Sequence, residues 1–131
     1  MQNLRKVLHA KIHRATVTQA DLDYEGSITL PADLLEAAHL HENEAVNIWN
    51  VTQGTRFETY TILGEDDSRD ICINGAAAHL ASPGDLIIIA SFKYIEENKV
   101  PMHEPYLVFV DRENRISHYG PEVPGPRKRL G

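Results

Sequence analysis

Apolar and polar positions alternate along most of this chain, and only short stretches carry the spacing of a helix. "KVLHAKIHRATVTQA" (6–20) reads as strand. At period two, Lys11, His13, Ala15 and Val17 share one face, with Ile12, Arg14 and Thr16 on the other. Polar residues on both faces predict that one of them lines a site or an interface. "SITL" continues as strand, and "PADLLEAAHL" (31–40) predicts a short helix with Pro31 in its first turn and Leu34, Leu35 and Ala38 as its apolar stripe. "EAVNIWNV" (44–51) and "TRFETYTIL" (55–63) form a predicted hairpin around "TQG", Gly54 supplying the positive φ. "RDICIN" is a further strand, "GAAAHLAS" a short helical or small-residue segment, and "SPGD" a turn. "LIIIASFKYI" (86–95) has the near-continuous apolar character of a strand buried on both sides. "YLVFVDRENRISHYG" predicts one more hairpin around "RENR", and "PEVPGPRKRLG" a mobile tail. Many short strands with two short helices make the expected fold mainly β, a small β-barrel with short capping helices. Residues 1–95 form the expected barrel domain and 96–131 a C-terminal extension.

Composition narrows the function classes. A chain of 131 residues supports one domain and one core. Its net charge of −6 gives no overall basic field for nucleic acid, and "PRKR" (126–129) reads as part of a solvated tail. The longest apolar run, "LIIIA", is far too short to span a bilayer, so no membrane partner is expected. Cys72 is the sole cysteine, which excludes an internal disulfide and fits a cytoplasmic setting; within "DICIN" it reads as a buried structural thiol.

The chemistry-bearing residues are first weighed singly. Seven histidines invite a metal, but "HLH" and "HENE" lack the i, i+4 helical pair that zinc sites use, so the expectation is no metal. "NGAAAHLASPG" lacks the glycine spacing and the Lys-Ser/Thr of a phosphate loop, and no GxSxG elbow occurs. In "YEGS" (24–27), Gly26-Ser27 between strands reads on its own as a tight turn. Singly, Lys11 and Arg56 read as surface charges, and Tyr60 and Trp49 as core or rim aromatics.

Their company changes that reading. "KIHR" (11–14), "YEGS" (24–27), "IWNVTQGTRFETY" (48–60), "INGAAAH" (73–79) and "PGD" (83–85) occur in order, and together the set resembles the pyruvoyl-dependent L-aspartate α-decarboxylase family over roughly residues 5 to 92. Two features depart from it. "GEDDSRD" (64–70) is more acidic than the usual turn, and the extension beyond about residue 95 carries no matching motif.

The resemblance implies a double-psi β-barrel, assembled as a homotetramer with sites between subunits, that makes its own cofactor. Ser27 would attack the Gly26 carbonyl, and elimination and hydrolysis would leave a pyruvoyl group derived from Ser27. The products would be a β chain, 1–26, and an α chain, 27–131. Glycine at 26 would clear the way for attack and permit strained backbone. Thr59 is implied to hydrogen-bond near the Gly26 carbonyl during processing. The ketone would form a Schiff base with L-aspartate and accept the electrons left by carbon dioxide, yielding β-alanine for pantothenate and coenzyme A synthesis. Tyr60 is implied as proton donor, Arg56 and Lys11 as carboxylate contacts, and Trp49 as a pocket wall. Asn74 with Gly75, Ala76 and Ala77 would hold the pyruvoyl group and substrate, with His13 and Tyr24 as neighbours. A maturation factor is a possible further partner. Glutamate is a nearer rival substrate, since one methylene gives only about 1–3 kcal/mol of discrimination. A non-catalytic barrel binding an acidic metabolite through Arg56 and Lys11 is the alternative from another class.

Overall fold

The computed structural model describes residues 3–125; residues 126–131, within the expected mobile tail, lie outside that range. Nine strands form one sheet among the described residues. They are β1 (Leu4–Thr16), β2 (Gln19–Asp21), β3 (Ser27–Leu30), β4 (Ala45–Asn50), β5 (Arg56–Leu63), β6 (Cys72–Asn74), β7 (Leu86–Glu96), β8 (Tyr106–Val110) and β9 (Ile116–Tyr119). The helix α1 covers Ala32–Ala37, and 3₁₀ turns cover Gly75–His79 and Glu97–Met102. No described helix is long and apolar enough to cross a membrane.

The sheet order is β2-β6-β3-β5-β4-β7-β1-β8-β9. Strands β1 and β8, β2 and β6, and β3 and β5 pair in parallel; the other neighbours are antiparallel. β1 gives way to β2 after only two residues, yet they lie toward opposite ends of this order. One short segment therefore draws the ends together, and the sheet curls into a mainly β, barrel-like fold. Ile12, Ile28, Leu30, Leu34, Ile48, Ile71, Ile73, Ile87 and Ile89 fill its interior with no exposed surface. Each such side chain contributes about 1.5–3 kcal/mol of burial, so stability resides inside and the shell is available for chemistry.

Three local readings change in the structure. On β1 the inward residues are Ala10 and Ile12, then Ala15 and Val17. The register shifts between Ile12 and Ala15, where Arg14 takes φ 65°, so a bulge moves Ala15 and Val17 to the side opposite Lys11 and His13. α1 stops short of residue 40 because His39 adopts φ 54° and the Leu40 N–H turns back to the Leu35 carbonyl (2.9 Å). β7 has antiparallel neighbours on both sides, and Ile88 and Phe92 on its outer side are only half-buried.

The predicted β4–β5 and β8–β9 hairpins both form. β8 joins the sheet beside β1, burying Leu107 and Val108. In the turn before β9, buried Asn114 at φ 62° accepts the Thr16 N–H (2.7 Å) and donates to the Thr16 and Arg69 carbonyls (2.9 and 3.0 Å). Arg69 returns a hydrogen bond to the Asn114 carbonyl and pairs with Asp33 at 2.9 Å. The hairpin turn is thereby fastened to the end of β1 and to the acidic 64–70 loop.

Next to the end of β1, Asp85, whose carbonyl accepts the Val17 N–H (2.9 Å), fixes the hairpin turn at Gly54. Its buried carboxylate accepts from Asn50 Nδ2 (2.8 Å), Gln53 Nε2 (2.6 Å) and the Ser82 N–H (2.8 Å). Burial pushes its pKa up, but the bonds from Asn50, Ser82 and Gln53 outweigh that and hold it below the ordinary carboxylate value. The stabilisation is therefore full above the unfolded-state pKa and lost as pH falls through the lower folded-state pKa. Asp85→Asn is expected to cost about 1–3 kcal/mol at pH 7, with the gap from the parent narrowing on acidification through the carboxylate range. Thermal unfolding at a series of pH values checks both.

Candidate active site

The site begins where the loop 22–26 enters β3. Ser27, the first residue of β3, is 4% exposed and stands opposite Asn74 on β6. Asn74 Nδ2 donates to Ser27 Oγ at 3.1 Å and to Thr29 Oγ1 at the same distance. The Ser27 hydroxyl in turn faces the Glu25 carbonyl at 3.5 Å. β5 runs parallel to β3 with Ile28 beside Thr61, which brings Tyr60 alongside Ser27. Tyr24, Ser27, Thr29, Tyr60, Cys72 and Asn74 line one cleft of about 720 Å³.

Glycine is required in this arrangement, but at a different position from the one expected. Gly26 lies outside the left-handed region, and a Cβ there would meet only the Asn74 carbonyl, at an ordinary 3.9 Å. Gly75 is the constrained residue. It sits at φ +74°, and a Cβ on it would lie 2.6 Å from Gly26 Cα, 2.7 Å from Gly26 N and 2.9 Å from the Tyr24 carbonyl. The backbone of the Gly75–His79 turn thus presses directly on the segment that ends in the Gly26–Ser27 peptide.

The remaining predicted site residues divide by location. Lys11, His13, Trp49 and Arg56 stand on the outer side of the sheet and do not line the cleft. Arg56 pairs across the hairpin with Trp49 and lays its guanidinium 4.9 Å from that ring's centre. The Trp49 ring is 6.4 Å from that of Phe92. His13 packs against Phe109 at 5.3 Å, and Lys11 Nζ pairs with Glu122 at 3.1 Å. Arg56 and Tyr60 share one side of β5, but four residues of strand separate them by about 13 Å. Thr59 points to the other side of β5, opposite Val46, so within one chain it is not in the cleft beside Gly26. Ala77 packs against the core and Ala76 is exposed.

The cleft has an electrostatic character that the residue-by-residue reading missed. Asp21, Asp23, Glu25, Glu65 and Asp70 line it, while no Lys or Arg among the described residues does. The acidic "GEDDSRD" segment was the visible signal, since it contributes Glu65 and Asp70. Thr29 was also legible, being two residues from Ser27 on the same side of a strand. Cys72 proves half-buried on the cleft wall rather than fully buried. Burial, reinforced by Asp70 and Asp21, raises its thiol pKa, so it is held protonated.

A sequence model of the family described as aspartate decarboxylase matches residues 3–117. That is a longer stretch than the motifs alone span, and it takes in β8 and the start of β9. A protein of Legionella pneumophila (strain Lens) named aspartate 1-decarboxylase is 60% identical over 126 residues, covering 96% of this chain and 95% of its own length. A Myxococcus xanthus protein of the same name is 58% identical over 128 residues, 96% of this chain and 98% of the relative. One from Rhodopirellula baltica is 55% identical over 125 residues, 95% and 80% respectively.

The glycine contact generates a direct test. Gly84 also has a positive φ, +93°, but open space around it. Gly84→Ala should therefore cost about 1–2 kcal/mol, the backbone strain alone. Gly75→Ala adds a steric collision with backbone and should cost about 1–3 kcal/mol more. Denaturant unfolding of the two variants measures the difference; equal costs would contradict the close contact.

Proposed function

The chain belongs to the aspartate decarboxylase family and its activity is the decarboxylation of aspartate; we propose that it performs this with a pyruvoyl group made from its own Ser27. The observation that carries the proposal is the setting of that residue. Its hydroxyl is buried in the cleft, held by the Asn74 amide at 3.1 Å, and attached to the peptide against which Gly75 packs.

Maturation is written on this chain's own atoms. Ser27 Oγ bonds to the Gly26 carbonyl carbon while the Ser27 nitrogen leaves it, turning the peptide into an ester. Removal of the Ser27 Cα proton expels the Gly26 carboxylate and leaves dehydroalanine. Water then enters and ammonia departs, giving a ketone at residue 27. Serine is a weak nucleophile, so the step depends on positioning. The Gly75 contact and the β3–β6 pairing supply it. Thr59, turned to the other side of β5, would act on the Gly26 carbonyl only where neighbouring subunits meet.

The cleft fits the finished group. Asn74, whose amide reaches the side chain of residue 27 at 3.1 Å, and Tyr60, on the wall of the same cleft, would hold it. The pyruvoyl group supplies an electron-withdrawing carbonyl that accepts the electron pair left behind by carbon dioxide. Tyr60, a phenol on the wall of the same cleft, would be the proton source for the substrate carbon. Aspartate without its α-carboxylate, with a proton in that place, is β-alanine, a pantothenate precursor.

Charge makes the case for assembly. L-aspartate carries two carboxylates into a cleft that already has five carboxylate neighbours. At about 6 Å and an effective dielectric near 20, each like-charge pair costs about 3 kcal/mol. Compensating cations must come from outside the cleft. Arg56 and Lys11 on the outer side of a second copy supply them, Arg56 as a two-pronged clamp on the carboxylate that is retained. Trp49, under that guanidinium, then closes the site against water. A site shared between subunits meets this requirement, as in the homotetramer that the family resemblance implies, and a cytoplasmic setting suits its free Cys72 thiol.

The proposal predicts that Ser27→Ala releases no β-alanine, and that Arg56→Gln loses about a hundredfold or more in kcat/KM, equivalent to roughly 3 kcal/mol. Co-assembled, the two variants should regain activity, because the Ser27 of one subunit meets the Arg56 of another. Assay of a co-expressed, mixed assembly checks this. A mixture as inactive as its components would remove the shared site.

A further inference from the structure

We propose that the segment following β9 is a tethered competitor of the substrate, its Glu122 carboxylate occupying Lys11. The proposal rests on the reading of Lys11 as a substrate-carboxylate contact. Glu122 Oε1 lies 3.1 Å from Lys11 Nζ, and the pair is partly shielded, with 17% of the Lys11 side chain and 49% of the Glu122 side chain exposed.

Strand register explains how the two meet. Lys11 on β1 stands beside Leu107 on β8, and the next residue of β8, Val108, stands opposite Tyr119, the last residue of β9. The chain therefore leaves the sheet at the level of Lys11, and Glu122 follows three residues later. Tyr119, Gly120, Pro121 and Glu122 then form one wall of an apolar cavity of about 670 Å³, with Leu8 and Tyr106 opposite. The carboxylate is thus delivered by a seated segment and presents to Lys11 the same chemical group that L-aspartate would bring.

Because the competitor is attached, its effective concentration is in the millimolar range for a short link. A partly exposed ion pair is weak, which corresponds to an occupancy ratio of up to about five. Substrate must displace it, so KM is raised and kcat is left alone.

The test compares fully processed wild type with Glu122→Gln, which keeps shape and loses charge. The variant should show KM for L-aspartate lowered about two- to sixfold at unchanged kcat, and faster labelling of Lys11 by an amine-acylating reagent, read by peptide mapping. Glu122→Lys should lower KM at least as far. Activity in both wild type and Glu122→Gln with equal KM values, or equal Lys11 labelling, overturns the competitor and leaves the decarboxylase reading standing. No β-alanine from processed wild type would overturn the decarboxylase reading itself.

Discussion

The site depends on a backbone-to-backbone contact between Gly75 and Gly26. Only a residue without Cβ, in a left-handed conformation, allows the Gly75–His79 turn to close onto the Tyr24–Gly26 segment. That contact fixes where β3 begins, and β3 in turn sets Ser27 between Asn74 of β6 and Tyr60 of β5. A serine hydroxyl is an unremarkable group in most proteins. Here the Asn74 amide holds it, and in the proposed maturation that positioning would substitute for intrinsic reactivity.

The second constraint is electrostatic and works at a larger scale. The cleft collects carboxylates, while the cations suited to a dicarboxylate lie on the outer side of the sheet, Arg56 against Trp49 and Lys11 against Glu122. A lone chain would repel its substrate. In the proposed assembly, joining an acidic cleft to the basic outer face of a second copy would correct that, and activity would belong to the assembly rather than to any single copy. The same logic underlies the role proposed for the C-terminal segment, whose Glu122 carboxylate rests on Lys11 and would have to give way to a substrate bound there.

Much of this was legible in the sequence, for identifiable reasons. Alternation found the strands because one side of the sheet is packed with isoleucine, and "TQG" announced its turn because Gly54 takes φ +78°. The Gly-Ser pair stood out through the motifs around it. The bulge at Arg14 was hidden because arginine gives no local signal for a positive φ. Gly75 was legible as a residue of the site, but its partner Gly26 lies far away in sequence and gave no sign of the contact; on its own, Gly26 looked like the glycine under constraint. Alternation did mark Thr59 as opposed to Tyr60, and the structure keeps that opposition. The proposed meeting of one copy's Arg56 with another's Ser27 is a matter of association, and no periodicity within one strand would encode it.

The central claim is that the chain breaks its own backbone at Gly26–Ser27 and keeps the product as its reactive group. Intact-mass measurement of the purified, matured protein tests this most directly. The account predicts two species, residues 1–26 and 27–131, the larger one lighter by one ammonia than a chain beginning with serine. An uncut chain that retains an ordinary serine at position 27 and still releases carbon dioxide from aspartate would contradict it.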